Sequence, residues 1–163
     1  MPATRDDLFR LLDELGIAHE TREHEAAYTV EDARRLRGLI PGGHTKNLFL
    51  KDKKGRLWLV VADEETKVDL KQLHRRIGAA RLSFGKAELM EEVLGVKPGS
   101  VTPFALMNDT GGRVTAVLDA RMMEQDPLNF HPLENTATTT ISRDGLLKFL
   151  RATGHEPIIV DVA

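Results

Sequence analysis

The chain has 163 residues, 41% of them apolar and 29% charged, with a formal net charge of −2. That length suits one domain, residues 1–163, able to bury a core unaided, and the near-neutral balance excludes a general polyanion binder. The absence of cysteine excludes disulfides, thiolate nucleophiles and cysteine-bound zinc; no run approaches the roughly 18 apolar residues of a membrane span and the first residues lack a signal peptide's apolar stretch, so the cytoplasm is the expected compartment and a membrane is not an expected partner.

Thr4 with Asp7 reads as a helix N-cap, and Leu8, Leu11, Leu12 and Leu15 recur at helical spacing before Gly16 stops the helix. An extended piece over Ile17–Arg22 follows. Thr29 is the next candidate cap, with Val30, Ala33 and Leu36 on one face of a second helix. The loop Ile40-Pro41-Gly42-Gly43-His44 reads as flexible and polar, and it leads into a hairpin formed by Asn47–Leu50 and Leu57–Val61 about a Lys53-Lys54-Gly55 turn. Asp69 caps a helix through Leu70, Leu73 and Ile77; Ser83 is expected to cap another carrying Leu89, Met90, Val93 and Leu94. Strands are expected at Val101–Leu106, Val114–Leu118 and Thr136–Ile141. Ser142 opens a last helix, and Pro157–Val160 is a final strand. Helices and strands alternate irregularly, which predicts an α+β domain with a mixed sheet rather than a doubly wound parallel one.

Two clusters break the even charge balance. Lys67, Lys71, Arg75, Arg76, Arg81 and Lys86 face only Asp69 in opposition, and Lys51, Lys53, Lys54 and Arg56 form the second. Either is read as solvated surface or as a local phosphate-facing patch.

Three segments carry residue types suited to chemistry. In Gly42–Leu50, Lys46 and Asn47 stand where a glycine-rich loop enters an apolar strand; a restrained ammonium there could hold a phosphate or polarise a carbonyl, and the amide could fix a hydroxyl. In Lys97–Pro103, Pro98-Gly99 suits the centre of a type II turn, and Gly99 can also turn backbone N–H groups into a pocket. In Asn129–Thr140, His131 is held extended by Pro132. Each taken alone reads more readily as structure. No HExxH spacing, GxSxG elbow or phosphate-binding glycine loop occurs, so neither a metal nor any other cofactor is expected, nor a covalent intermediate.

Taken together and in this order, Pro41–Lys51, Gly99-Ser100-Val101-Thr102-Pro103 and Asn129-Phe130-His131-Pro132 closely resemble the YbaK/ProX family of aminoacyl-tRNA deacylases, relatives of the editing domain inserted in bacterial prolyl-tRNA synthetases. The similarity extends to Arg81–Gly85 and to Glu156–Asp161, and within the family it is strongest to the free-standing, alanine-specific branch. The resemblance implies a mixed, partly closed sheet surrounded by helices. It implies that Lys46 is the active-site lysine near the aminoacyl ester and the terminal adenosine phosphate, and that Asn47 and His131 are further active-site positions. The loop Gly99, Ser100, Val101, Thr102, Pro103 would be the Gly-x-x-x-Pro loop whose amides face the scissile carbonyl, with a substrate ribose hydroxyl helping to activate water.

An aminoacyl ester is already activated, so positioning water and stabilising the oxyanion can suffice. Selectivity for alanine would come from a pocket closed to anything larger than a methyl group, its wall expected near Tyr28, Val30 and Phe49. On this reading the partner is aminoacyl-tRNA(Pro), prolyl-tRNA synthetase is a candidate second partner, and Lys67, Lys71, Arg75, Arg76 and Arg81 are candidate acceptor-stem contacts. Two alternatives stay open: a cysteine-specific deacylase of the same family, and a module that binds tRNA without cleaving it.

Overall fold

The computed structural model describes residues 2–24, 35 and 40–163. Helix α1 (Arg5–Glu14) begins at Thr4, whose hydroxyl and the Asp7 carboxylate each accept from the other residue's backbone N–H, and it buries Leu8 and Leu12. Strand β1 (His19–Glu23) follows. The expected second helix, with Thr29, Val30, Ala33 and Leu36, falls outside the described residues.

Strand β2 (Gly43–Asp52) and β3 (Leu57–Asp63) form the expected antiparallel hairpin. Asp52 organises its turn. The carboxylate is buried and accepts from the N–H groups of Lys54, Arg56 and Ala80, from the Arg56 guanidinium and from the Trp58 indole. Burial alone would raise its pKa, but these bonds together hold it below the ordinary carboxylate value.

Helix α2 (Leu70–Arg76) starts at Asp69 as expected. Ser83, however, does not cap a helix: it lies within a short strand, β4 (Leu82–Phe84), that pairs with β2, and α3 (Ala87–Leu94) begins after Lys86, which makes no side-chain cap bond. Nor is Val101–Leu106 a strand. Pro103 cannot donate to a ladder, and the Thr102 hydroxyl accepts from the Phe104 N–H, so Pro103–Asn108 turns as a 3-10 helix instead. Strand β5 (Val114–Asp119), a 3-10 turn at Met122–Glu124 and a three-residue strand β6 (Leu128–Phe130) follow. The chain ends with β7 (Ala137–Ile141), α4 (Arg143–Ala152, capped by Ser142) and β8 (Ile158–Val160).

The fold is therefore mixed α and β, as the irregular alternation predicts. The sheet order is β1-β7-β6-β2-β3-β5-β8, with β4 also on β2; the β3–β5, β5–β8 and β2–β6 pairings are parallel and the rest antiparallel. β1 and β8 are its free ends, so the sheet is open. Its two halves share the larger core, Leu59, Val61 and Leu118 meeting Leu128, Phe130 and Ile141, with Phe104 packed edge-on against both Phe130 and Phe149. A smaller core on the other face gathers Leu50, Trp58, Val60, Leu73 and Val162. No described helix is long and apolar enough to cross a membrane.

Candidate active site

Strand β6, too short to stand out in the sequence, joins the first and third motifs. Its Gly43–Leu128 and His44–Asn129 rungs pair it with the start of β2. The buried Asn129 side chain donates to the carbonyls of Pro41 (3.0 Å) and Gly43 (3.1 Å) and accepts from the Thr140 hydroxyl, while its own carbonyl accepts from the Thr45 hydroxyl at 2.7 Å. The two glycines serve this approach rather than looseness. A methyl at Gly42 would sit 2.8 Å from the Pro127 carbonyl, and one at Gly43 2.7 Å from the Gln125 side chain.

The second motif meets the third farther along, at Asn135. Ser100 N–H donates to the Lys97 carbonyl at 3.0 Å, and Gly99 has φ +92°, so Lys97–Ser100 is the expected type II turn. Gly99 lies against Asn135. A cavity of about 430 Å³ runs between this loop and the chain after His131, with Ser100 on one wall and Glu134 and Asn135 on the other. In the loop, Ser100 N–H is used within the turn and Pro103 has none, whereas the N–H groups of Gly99, Val101 and Thr102 have no partner among the described residues.

Along β2 successive side chains point to opposite faces. Phe49 lies in the larger core and Leu50 in the smaller, so Asn47 shares the face of Phe49, Phe104 and Phe130. Its Oδ1 is buried without a hydrogen-bond partner, an unsatisfied acceptor on the side of the larger core. Lys46 belongs to the opposite face, half-buried and opposite Ala62. It stands at a break in the sheet: β6 pairs Gly43 and His44 and β4 pairs Leu50–Asp52, and among the described residues no strand covers β2 between them on that side. Tyr28 and Val30 lie outside the described residues.

His131 is partly buried, and its Nδ1–H donates to the Ala137 carbonyl at 3.2 Å. Desolvation lowers its pKa below the ordinary 6.5; the Ala137 carbonyl opposes this, and the neighbouring imidazole of His24 adds to it. The ring is thus neutral at pH 7, with Nε2 left as an acceptor. Of the basic stretch, Lys67, Lys71, Arg75 and Arg81 are exposed, but the Arg76 guanidinium is taken up by the Asp161 and Ala163 carbonyls and Gln72. Among the described residues no group of three or more His, Cys, Asp or Glu could hold a metal ion.

Asn129 is the residue the sequence reading missed. It begins a quoted motif, but nothing in the sequence shows that its amide is buried between two other segments.

The sequence pattern of the aminoacyl-tRNA editing domain family matches residues 24–149. The chain belongs to that family. Relatives of this editing domain include the prolyl-tRNA editing protein ProX of Acetoanaerobium sticklandii, 37% identical and covering 88% of each chain. Another is the prolyl-tRNA synthetase associated domain-containing protein 1 of Danio rerio, 40% identical over 96% of this chain and 86% of its own. The fold is shared by a crystal structure described as a candidate trans-editing enzyme for prolyl tRNA synthetase, with TM-score 0.71 over 99% of this editing domain and 98% of that chain at 19% identity.

Proposed function

We propose that this editing domain, an aminoacyl-tRNA deacylase by family, removes wrongly attached amino acids from tRNA(Pro), with alanine as the preferred residue. The supporting observation is the meeting at β6, which joins the start of the strand carrying Lys46 and Asn47 to the segment of the neutral His131 imidazole, itself in contact with a loop that has three unpartnered N–H groups. Such a set suits an uncharged ester whose carbonyl gains negative charge during water attack.

In this reading the N–H groups of Gly99, Val101 and Thr102 stabilise the tetrahedral oxyanion. Asn47 Oδ1 accepts from the substrate's α-ammonium or a ribose hydroxyl, and His131 Nε2 accepts from another hydroxyl, orienting the terminal adenosine. The nucleotide crosses the open edge of β2, its ester on the Asn47 side and its phosphate on the Lys46 ammonium. No side chain is required as a strong base, because a ribose hydroxyl of the substrate assists the water. Exclusion of proline is assigned to the pocket wall, with Phe49 on its floor and Tyr28 and Val30 as proposed members. Prolyl-tRNA synthetase is the proposed source of the mischarged substrate.

The test is single-turnover deacylation of Ala-, Cys- and Ser-tRNA(Pro), with Lys46→Ala beside the wild type. Alanyl ester is expected to be cleared fastest, and Lys46→Ala to slow it at least about a hundredfold, as for loss of one electrostatic group. A clear preference for the cysteinyl ester would overturn the substrate assignment. A wild type inactive on all three would favour a tRNA-binding module.

A further inference from the structure

A second cleft, of about 650 Å³, lies between β4 and α3. Its floor is the β2–β4 edge, and it is lined by Phe84, Lys51, Lys53 and Lys86. Phe84 is 66% exposed, the more exposed of two large apolar side chains on the surface among the described residues. Its position is fixed: a methyl at Gly85 would overlap the Phe49 ring, so β4 lies flush on β2, and Gly85 N–H donates to the Phe49 carbonyl. The ammonium groups of Lys51, Lys53 and Lys86 have no partner among the described residues. Of the carboxylates nearby, Asp52 is bound to Arg56 and Glu92 pairs with Arg113 at 3.5 Å, leaving Glu88 alone against three cations.

An exposed aromatic ring held rigidly among unpaired ammonium groups suits a base with its flanking phosphates: the ring stacks, the cations track the backbone. The cleft also adjoins the candidate active site. The Gly85–Phe49 bond is the last contact of β4 before the open edge of β2 begins, so a chain leaving that edge on the β4 side passes Phe84 and Lys86.

We infer that this cleft binds the unpaired nucleotides preceding the esterified end of the RNA, with one base stacked on Phe84 and phosphates held by Lys51, Lys53 and Lys86. The inference rests on the deacylase reading for the identity of the RNA, and its test is kept separate. Binding of uncharged tRNA(Pro) is measured by fluorescence anisotropy for the wild type, Phe84→Ala, Phe84→Trp and Lys51→Ala, using the intact transcript and one lacking its three unpaired 3′ nucleotides.

Phe84→Ala is expected to weaken the intact transcript at least about fivefold, the low end for one lost stacked base, and to leave the truncated one unchanged. Phe84→Trp is expected to retain binding, and Lys51→Ala to reduce the salt slope by about 0.7, the single-strand value for one phosphate contact. Equal binding of the intact transcript by Phe84→Ala and wild type would overturn the inference, as would equal losses on both transcripts. Deacylation by the wild type is assayed independently. An inactive protein that still shows the Phe84 effect would sink the deacylase reading and leave the cleft standing.

Discussion

Replacing Asn129 by alanine separates β6 from the glycine loop without touching any group proposed to contact substrate. The side chain makes two donations, to Pro41 and Gly43, and one acceptance, from Thr140. At about 1 kcal/mol net for each, and with buried partners left unpaired, the loss is about 3 kcal/mol. For a protein of this size that corresponds to a fall in Tm of about 6–12 °C. The consequence for activity is separable. Gly43 begins the strand that carries Asn47 four residues later, and a displacement of the order of 1 Å at a positioned group costs about a hundredfold in rate. Urea unfolding of Asn129→Ala at pH 7.5 gives the first quantity, and single-turnover deacylation well below its Tm gives the second. Asn129→Asp is expected to be no better: it keeps the acceptor for Thr140 but turns a negative charge on two carbonyl oxygens. An Asn129→Ala protein within about 0.5 kcal/mol of wild type, the range of neutral surface changes, would refute the reasoning that β6 fastens the site together.

A buried pair outside the proposed substrate contacts is expected to carry stability instead. His155 Nε2 lies 2.9 Å from Asp109 Oδ2, and both side chains are buried; His155→Ala should cost about 1–3 kcal/mol in urea unfolding by removing one hydrogen-bond partner of a buried carboxylate that keeps the Arg113 and Val114 N–H groups, with the rate per folded molecule unaltered. The His131 titration gives a pH signature. Because burial holds its folded pKa below 6.5, the unfolded chain binds more protons as pH falls through 6.5, so its contribution to stability is present above that pH and lost as pH falls through the folded value. The difference in unfolding midpoint between wild type and His131→Asn is therefore expected to change between pH 7.5 and pH 5.5, in the direction of wild type losing more; parallel profiles would contradict the shift.

Much of the scaffold was legible because its signals are local. Thr4, Asp69 and Ser142 cap helices as their side chains suggest, and alternation in β2 and β3 is set by neighbouring residues. Where the sequence misled, a competing local preference won: Val101–Leu106 has strand composition, but Pro103 and the Thr102 cap wind it into a 3-10 helix. Ser83 resembles a cap, yet three residues suffice to extend β2's ladder. The remaining gaps are long-range. Asn129 reaches back 88 residues to Pro41, and His155 pairs with Asp109 across 46. Gly42 and Gly43 read as flexibility but answer to the close approach of Pro127 and Gln125. The division of Lys46 and Asn47 between two faces follows from the strand period, but which face holds the larger core emerges only from packing.

The most direct test of the central claim is a titration with a non-hydrolysable amide analogue of 3′-alanyl adenosine, followed by amide chemical shifts. If one site is formed by the three motifs, the backbone N–H signals of Gly99, Val101 and Thr102 and the Asn47 side-chain amide will shift together and saturate at a single affinity. Shifts at Asn47 with the loop amides unmoved, or two distinct affinities, would contradict it.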